Sequence, residues 1–245
     1  MIAIVLAAGY GTRLYPLTEN TPKALLPVGN QTILGHLEKK LAVPGMQVAR
    51  VVLVSNHRFA EKFTAWAGQP AHAVSWTVLD DGSTSDENRL GSMGDLAFAI
   101  KAGSADDDLL VLGSDNLFED ELTGLVDFAR KKSAVTLGAI ELPDRKLAAQ
   151  YGVLTADAQD RIVRFTEKPA QPDSSLISTA IYFFPRKAVG RVLEYVSSEK
   201  ATDKLGSFIS WLVSREPVFA VRFLGRWFDI GDIASYTHAQ ETFRS

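Results

Sequence analysis

The segment Ile2-Ala-Ile-Val-Leu-Ala7 is apolar at every position. A strand with one solvated face alternates apolar and polar side chains, so an unbroken run reads as a strand covered on both faces. Such a strand belongs inside a mainly parallel sheet, which needs helices above and below it. The first half of the chain supplies both. Strand patterns over 50–55, 74–79 and 108–113 alternate with helical patterns over 32–41, 59–67, 93–102 and 122–132. The second half is richer in strands, predicted over 134–142, 153–155, 162–166 and 177–184, with helices over 188–196, 205–213 and 233–243. The expected fold is α/β and Rossmann-like: a mixed, mainly parallel sheet with helices on both faces. No repeat or low-complexity linker divides the chain. A single domain over 1–245 is expected, with a nucleotide-binding part over about 1–140 and a substrate-binding part over about 141–230.

Bulk properties exclude several functions. A formal net charge of −3 provides no global basic field for a nucleic-acid backbone. The absence of cysteine excludes disulfides and thiolate metal sites. The apolar run 2–8 is too short to span a membrane, and no basic segment precedes it as in a signal peptide. A cytoplasmic protein without membrane or nucleic-acid partners is expected, with a homo-oligomer left open.

The first strand runs directly into Leu6-Ala-Ala-Gly-Tyr-Gly-Thr-Arg-Leu14, followed by Pro22-Lys-Ala-Leu-Leu-Pro27. Glycines let backbone N–H groups approach an anion, and successive N–H groups can form a nest for phosphate oxygens. Arg13 and Lys23 add two positive charges. The pattern fails the P-loop spacing, because Lys23 lies too far along. It also fails the dinucleotide fingerprint, whose third glycine would fall at Leu14. Gly113-Ser-Asp115-Asn116 ends the fourth strand, where ligands of open α/β sheets sit. A carboxylate there suits magnesium, which prefers oxygen ligands and neutralises crowded phosphates. Asp232 reads as a helix N-cap. Asp106 to Asp108 reads as a solvated turn, and Trp211 and Trp227 read as core. The four histidines share no ligand spacing.

The run Leu6 to Leu26 closely resembles the signature of sugar-1-phosphate nucleotidyltransferases, because loop, arginine and distal Lys-x-x-Leu-Pro occur together. The resemblance continues to the end of the chain. It implies that Leu6, Ala8, Gly9, Gly11, Thr12, Arg13, Lys23 and Gly91 bind a nucleoside triphosphate. It implies a magnesium pair, Asp115 and Asp229, in Gly-Asp-Asn-like and Trp-x-Asp-x-Gly segments. Glu167-Lys168-Pro169 matches the family's Glu-Lys-Pro, which assigns Glu167 to substrate hydroxyls and Lys168 to the substrate phosphate. Gly152 and Thr179 fall in sugar-facing segments. The family often has glycine where this chain has Ala180, and that methyl narrows the substrate space. Arg13, Lys23 and Lys168 are the implied catalytic charges. The implied reaction joins a nucleoside triphosphate to a phosphorylated small molecule, with a sugar 1-phosphate or a phosphocholine-like acceptor both open, as is a non-catalytic nucleotide-sugar sensor. The stretch that would read the base, Asp80 to Gly94, holds no glutamine, so the nucleotide is not readable from it.

Overall fold

The computed structural model describes residues 1–198 and 203–243. The chain opens with β1 (Ile2–Leu6), a short hairpin of β2 (Pro27–Val28) and β3 (Gln31–Thr32), and α1 (Ile33–Leu41). Then come β4 (Arg50–Ser55), α2 (Ala60–Ala67), β5 (Trp76–Asp80), α3 (Gly91–Ala99) and β6 (Leu109–Gly113). The middle of the chain forms β7 (Asn116–Phe118), α4 (Thr123–Lys132), β8 (Val135–Glu141), β9 (Gly152–Ala156), β10 (Ile162–Glu167) and β11 (Leu176–Phe184). It ends with α5 (Arg186–Val196), α6 (Leu205–Val213), β12 (Val218–Arg222), β13 (Trp227–Asp229) and α7 (Ile233–Thr242).

Nine strands form one sheet along the path β10-β9-β11-β6-β1-β4-β5, with β8 joined to β11 and β12. β1 lies between β4 and β6, parallel to both. Its side chains explain the apolar run. Ile2 and Ile4 enter a core with Met93 and Leu96 of α3, Val192 of α5 and Phe208 of α6. Ala3 and Val5 point the other way, into a core with Leu34 and Leu37 of α1, Phe63 of α2 and Leu125 of α4. Alternation along the strand thus feeds two helical layers. Full burial of a side chain such as Phe208, which is 0% exposed, contributes about 1.5–3 kcal/mol.

Beyond β6 the sheet turns antiparallel, through β11 and the β9–β10 pair. β12, parallel to β8, was not expected. Its five residues, Val-Phe-Ala-Val-Arg, follow a proline and are too short for periodicity to mark them. The acidic run 106–108 lies at a turn as expected, with Asp106 exposed, but its other two carboxylates are engaged. Asp107 holds the Met1 ammonium at 3.0 Å, and Asp108 accepts the Arg186 backbone N–H at 3.0 Å. Parallel pairing of β1 and β6 places the chain's first residue beside the start of β6, which the local sequence does not reveal. Asp232 caps α7 as expected, accepting from the Ser235 N–H at 2.8 Å. Among the described residues, no helix is long and apolar enough to cross a membrane.

Candidate active site

Parallel pairing brings the ends of β1 and β6 together. Leu6 is in register with Gly113, and the Ser114 N–H reaches the Leu6 carbonyl at 3.2 Å. The glycine-rich loop and Asp115 therefore leave the sheet side by side. Gly11 turns the loop at φ 64°, a left-handed conformation that glycine adopts without strain. Thr18 packs against it and donates to the Gly11 carbonyl at 2.7 Å. Beyond this turn, buried Leu14 anchors a short 3₁₀ segment that presents Arg13. A second 3₁₀ turn, starting after Pro22, carries Lys23.

Lys23 Nζ meets Asp115 Oδ2 at 2.7 Å. The other Asp115 oxygen accepts from Asn116 Nδ2 at 3.0 Å, and Asn116 Oδ1 accepts from Trp227 Nε1 at 2.7 Å. Asp229 is brought to Asp115 by the β7–β13 pair, in which it registers with Asn116, and the Ile230 N–H reaches the Asp115 carbonyl at 2.9 Å. Burial and then the Asp115 charge push the Asp229 carboxyl above the usual carboxylate range, while Lys23, Arg13 and Lys168 pull it down. Two carboxylates crowd at a strand end, and Lys23, Arg13 and Lys168 offset their repulsion only in part. The pair is an all-oxygen donor set of the kind magnesium uses when waters and phosphates complete its shell. Asp115 and Asp229 therefore fit a divalent cation. Among the described residues, no three His, Asp or Glu side chains gather into a metal cluster.

The cleft has two halves meeting at Leu6, Ser92, Asp115, Lys168 and Lys204. One half holds Ala8, Gly9, Lys23 and Gly91. Gly91 opens α3 at φ 71°, and a Cβ there would lie 2.5 Å from the Asp203 Cβ. The other half holds Arg13, Gly152, Glu167, Thr179, Ala180 and Asp229. Arg13 thus lines the half expected to take the acceptor, with Asp229, and not the half that holds Lys23. Gly11 and Thr12, expected to bind the nucleotide, line neither half and form the turn beside it. Glycine at 152 leaves room for the Phe165 ring, and glycine at 206 leaves room for the Glu167 carboxylate, which a Cβ would overlap. Burial raises the Glu167 carboxyl, and Lys168 and Lys204 oppose the rise. The Thr179 hydroxyl is turned away, donating to the Gly138 carbonyl at 3.0 Å. Ala180 sits at a register break in β11 with φ 56°. Its backbone conformation, besides its methyl, sets it apart from glycine.

Trp227 corrects an expectation. It lines the acceptor half and meets the Tyr151 ring edge-on at 5.4 Å, so it is cleft wall as well as core. The signal was present: in a strand, residues two apart share a face, so Trp227 follows Asp229. Trp211 is packed as expected, stacked on Phe208 at 5.9 Å. Asn116 and Tyr151 stand next to Asp115 and Gly152 in the segments read from the sequence but were given no role there, and Lys204, just before α6, was not singled out.

A family model described as nucleotidyl transferase matches residues 2–245. The bifunctional protein GlmU of Methanocaldococcus jannaschii is 29% identical over 94% of this chain and 51% of its own length. The UTP–glucose-1-phosphate uridylyltransferase of Synechocystis is 30% identical over 98% of this chain and 62% of its own. The chain thus spans about half to under two thirds of the length of these relatives. A crystal structure of UDP-glucose pyrophosphorylase complexed with UDP-glucose superposes with a TM-score of 0.82, covering 99% of this chain and 97% of that one. At 16% identity this is a likeness of fold.

Proposed function

The chain belongs to the nucleotidyl transferase family, and on that premise we propose that it condenses a nucleoside triphosphate with a sugar 1-phosphate, giving a nucleoside diphosphate sugar and pyrophosphate. The observation that carries this reading is the charge arrangement: Lys23, Arg13 and Lys168 converge on Asp229 beside Asp115, where the two halves of the cleft meet. Two phosphorylated reactants would be anions that repel each other, and three cations around a carboxylate pair are suited to bringing them together.

In the proposed reaction, an ionised oxygen of the acceptor phosphate attacks the α-phosphorus in line. The new P–O bond forms as the bond to the β-phosphate oxygen breaks, and pyrophosphate leaves. The nucleophile needs no deprotonation, so no side chain has to act as base. Lys168 positions the acceptor phosphate, Lys23 holds the triphosphate, and Arg13 stabilises charge on the leaving group. The backbone N–H groups of the glycine-rich loop hold phosphate oxygens. Glu167 accepts from acceptor hydroxyls. Asp115 and Asp229 would hold magnesium, which when bound neutralises phosphate charge. The names of the relatives support a sugar phosphate as acceptor, since one is a glucose-1-phosphate uridylyltransferase.

The test is pyrophosphate release across a matrix of nucleoside triphosphates and phosphorylated acceptors, including hexose 1-phosphates and phosphocholine. Turnover with a hexose 1-phosphate supports the proposal. Turnover confined to phosphocholine, or none with any pair, overturns it.

A further inference from the structure

Asp81 follows β5 and Asp95 lies in the second turn of α3. The two carboxyls are close enough for Asp81 to act on Asp95, which is 5% exposed. One oxygen of each, Asp81 Oδ2 and Asp95 Oδ1, is buried with no N–H or O–H donor among the described residues. Two buried carboxylates close together repel strongly, and an unmet buried acceptor is costly. A single proton held between them removes both problems.

The pair is tied to the glycine-rich loop. Asp81 Oδ1 accepts from the Ser83 N–H at 2.7 Å and from its hydroxyl at 2.6 Å. The Ser83 carbonyl accepts from the Tyr10 hydroxyl at 2.9 Å and from the His57 N–H at 2.9 Å. Beside it, Asn56 Nδ2 donates to the Ala8 carbonyl at 2.9 Å. This polar brace runs behind the loop from α3 to Tyr10, between Gly9 and Gly11. The proposed transfer reaction uses neither Asp81 nor Asp95.

We propose that Asp95 is a positioning residue that, by sharing one proton with Asp81, holds the Tyr10 side of the glycine-rich loop in its phosphate-binding shape. This rests on the nucleotide site proposed above. Burial, followed by the Asp81 charge, raises Asp95 to about 8, above its unfolded value. The brace is therefore complete at lower pH and is lost as pH rises through about 8. Other charged groups lie near it. Lys23, Arg89, Asp115, Lys168, Asp203 and Lys204 line the same half of the cleft. Tyr10 faces Asp81, Asp86 and Arg58, and Asp80 pairs with His57 at 2.7 Å. These groups are common to the wild type and to a variant altered only at Asp95.

Asp95→Asn keeps the shape and supplies a permanent N–H donor to Asp81. Calorimetry would follow binding of magnesium tripolyphosphate, a probe without a base, to both proteins from about pH 7 to 9.5. Relative to Asp95→Asn, the wild type should lose up to about tenfold in affinity per pH unit above the pair's titration. Superposable profiles overturn the proposal. If the probe binds neither protein, the nucleotide reading fails, and hydrogen exchange of the Ala7–Gly11 amides in the free proteins decides on the brace alone. Faster exchange in the wild type at high pH, after correction for intrinsic rates, supports it, and equal exchange overturns it.

Discussion

Ala180 holds a conformation that suits glycine better. Its φ of 56° lies in the left-handed region, where a Cβ crowds the following carbonyl and an L-residue gives up about 1–2 kcal/mol. Ala180→Gly removes that strain. It also frees the unfolded chain, which opposes the gain by about 0.4–1 kcal/mol. The lost methyl is half-buried at the cleft, so little packing goes with it. The balance is a stabilisation of about 0.5–1 kcal/mol, seen as a rise in Tm of about 1–4 °C for a chain of this size. The same change widens the acceptor half beside Gly113, where the Ala180 Cβ stands 3.6 Å from the place a Gly113 Cβ would take. Acceptor choice should broaden while nucleotide preference stays fixed, because Ala180 lines only the acceptor half. Thermal unfolding and a kcat/KM matrix read the two effects separately. A variant destabilised by more than about 0.5 kcal/mol would refute the backbone argument, and an altered nucleotide preference would refute the division of the cleft.

Three further outcomes test individual side chains. Arg13→Ala should lose about 2–4 kcal/mol of transition-state stabilisation, read as a fall of about 30- to 900-fold in kcat. Lys168→Ala should chiefly raise KM for the phosphorylated acceptor, with a smaller loss in kcat; calorimetry of the triphosphate alone should change little. Gly206→Ala puts a Cβ into the space of the Glu167 carboxylate. It should weaken acceptor binding and spare triphosphate affinity, and an unchanged acceptor KM would remove Glu167 from the substrate.

Much of the fold could be read from the sequence because its strongest signals are local. The apolar run of β1 dictates two covered faces, and β4 and α6 fall at the expected residues. The pieces that escaped depend on distant pairing. β12 is five residues whose place is set by β8, and the clasp of Asp107 on Met1 exists only because β1 lies beside β6. The site divides in the same way. Loop, arginine and lysine are contiguous enough to be seen, and the structure brings Lys23 onto Asp115 at 2.7 Å. Asn116 is different. Its amide links Trp227 to Asp115 across 111 residues, a role no spacing encodes. The proximity of Asp81 to Asp95 joins a loop to a helix, and no spacing in that acidic stretch announces it. Left-handed geometry at Ala180 was likewise hidden, since alanine carries no sign of it.

Nucleotidyl transfer is proposed to depend on a cation that Asp115 and Asp229 hold together. The most direct measurement is pyrophosphate release with magnesium titrated, for the wild type, Asp115→Ala and Asp229→Ala. Circular dichroism should show all three folded, because both carboxylates stand at a strand end and not among the apolar side chains of the two main cores. The account predicts a magnesium-dependent rate in the wild type and near-complete loss in both variants across the titration. Near-normal rates in both, at the same magnesium concentration as the wild type, would contradict it.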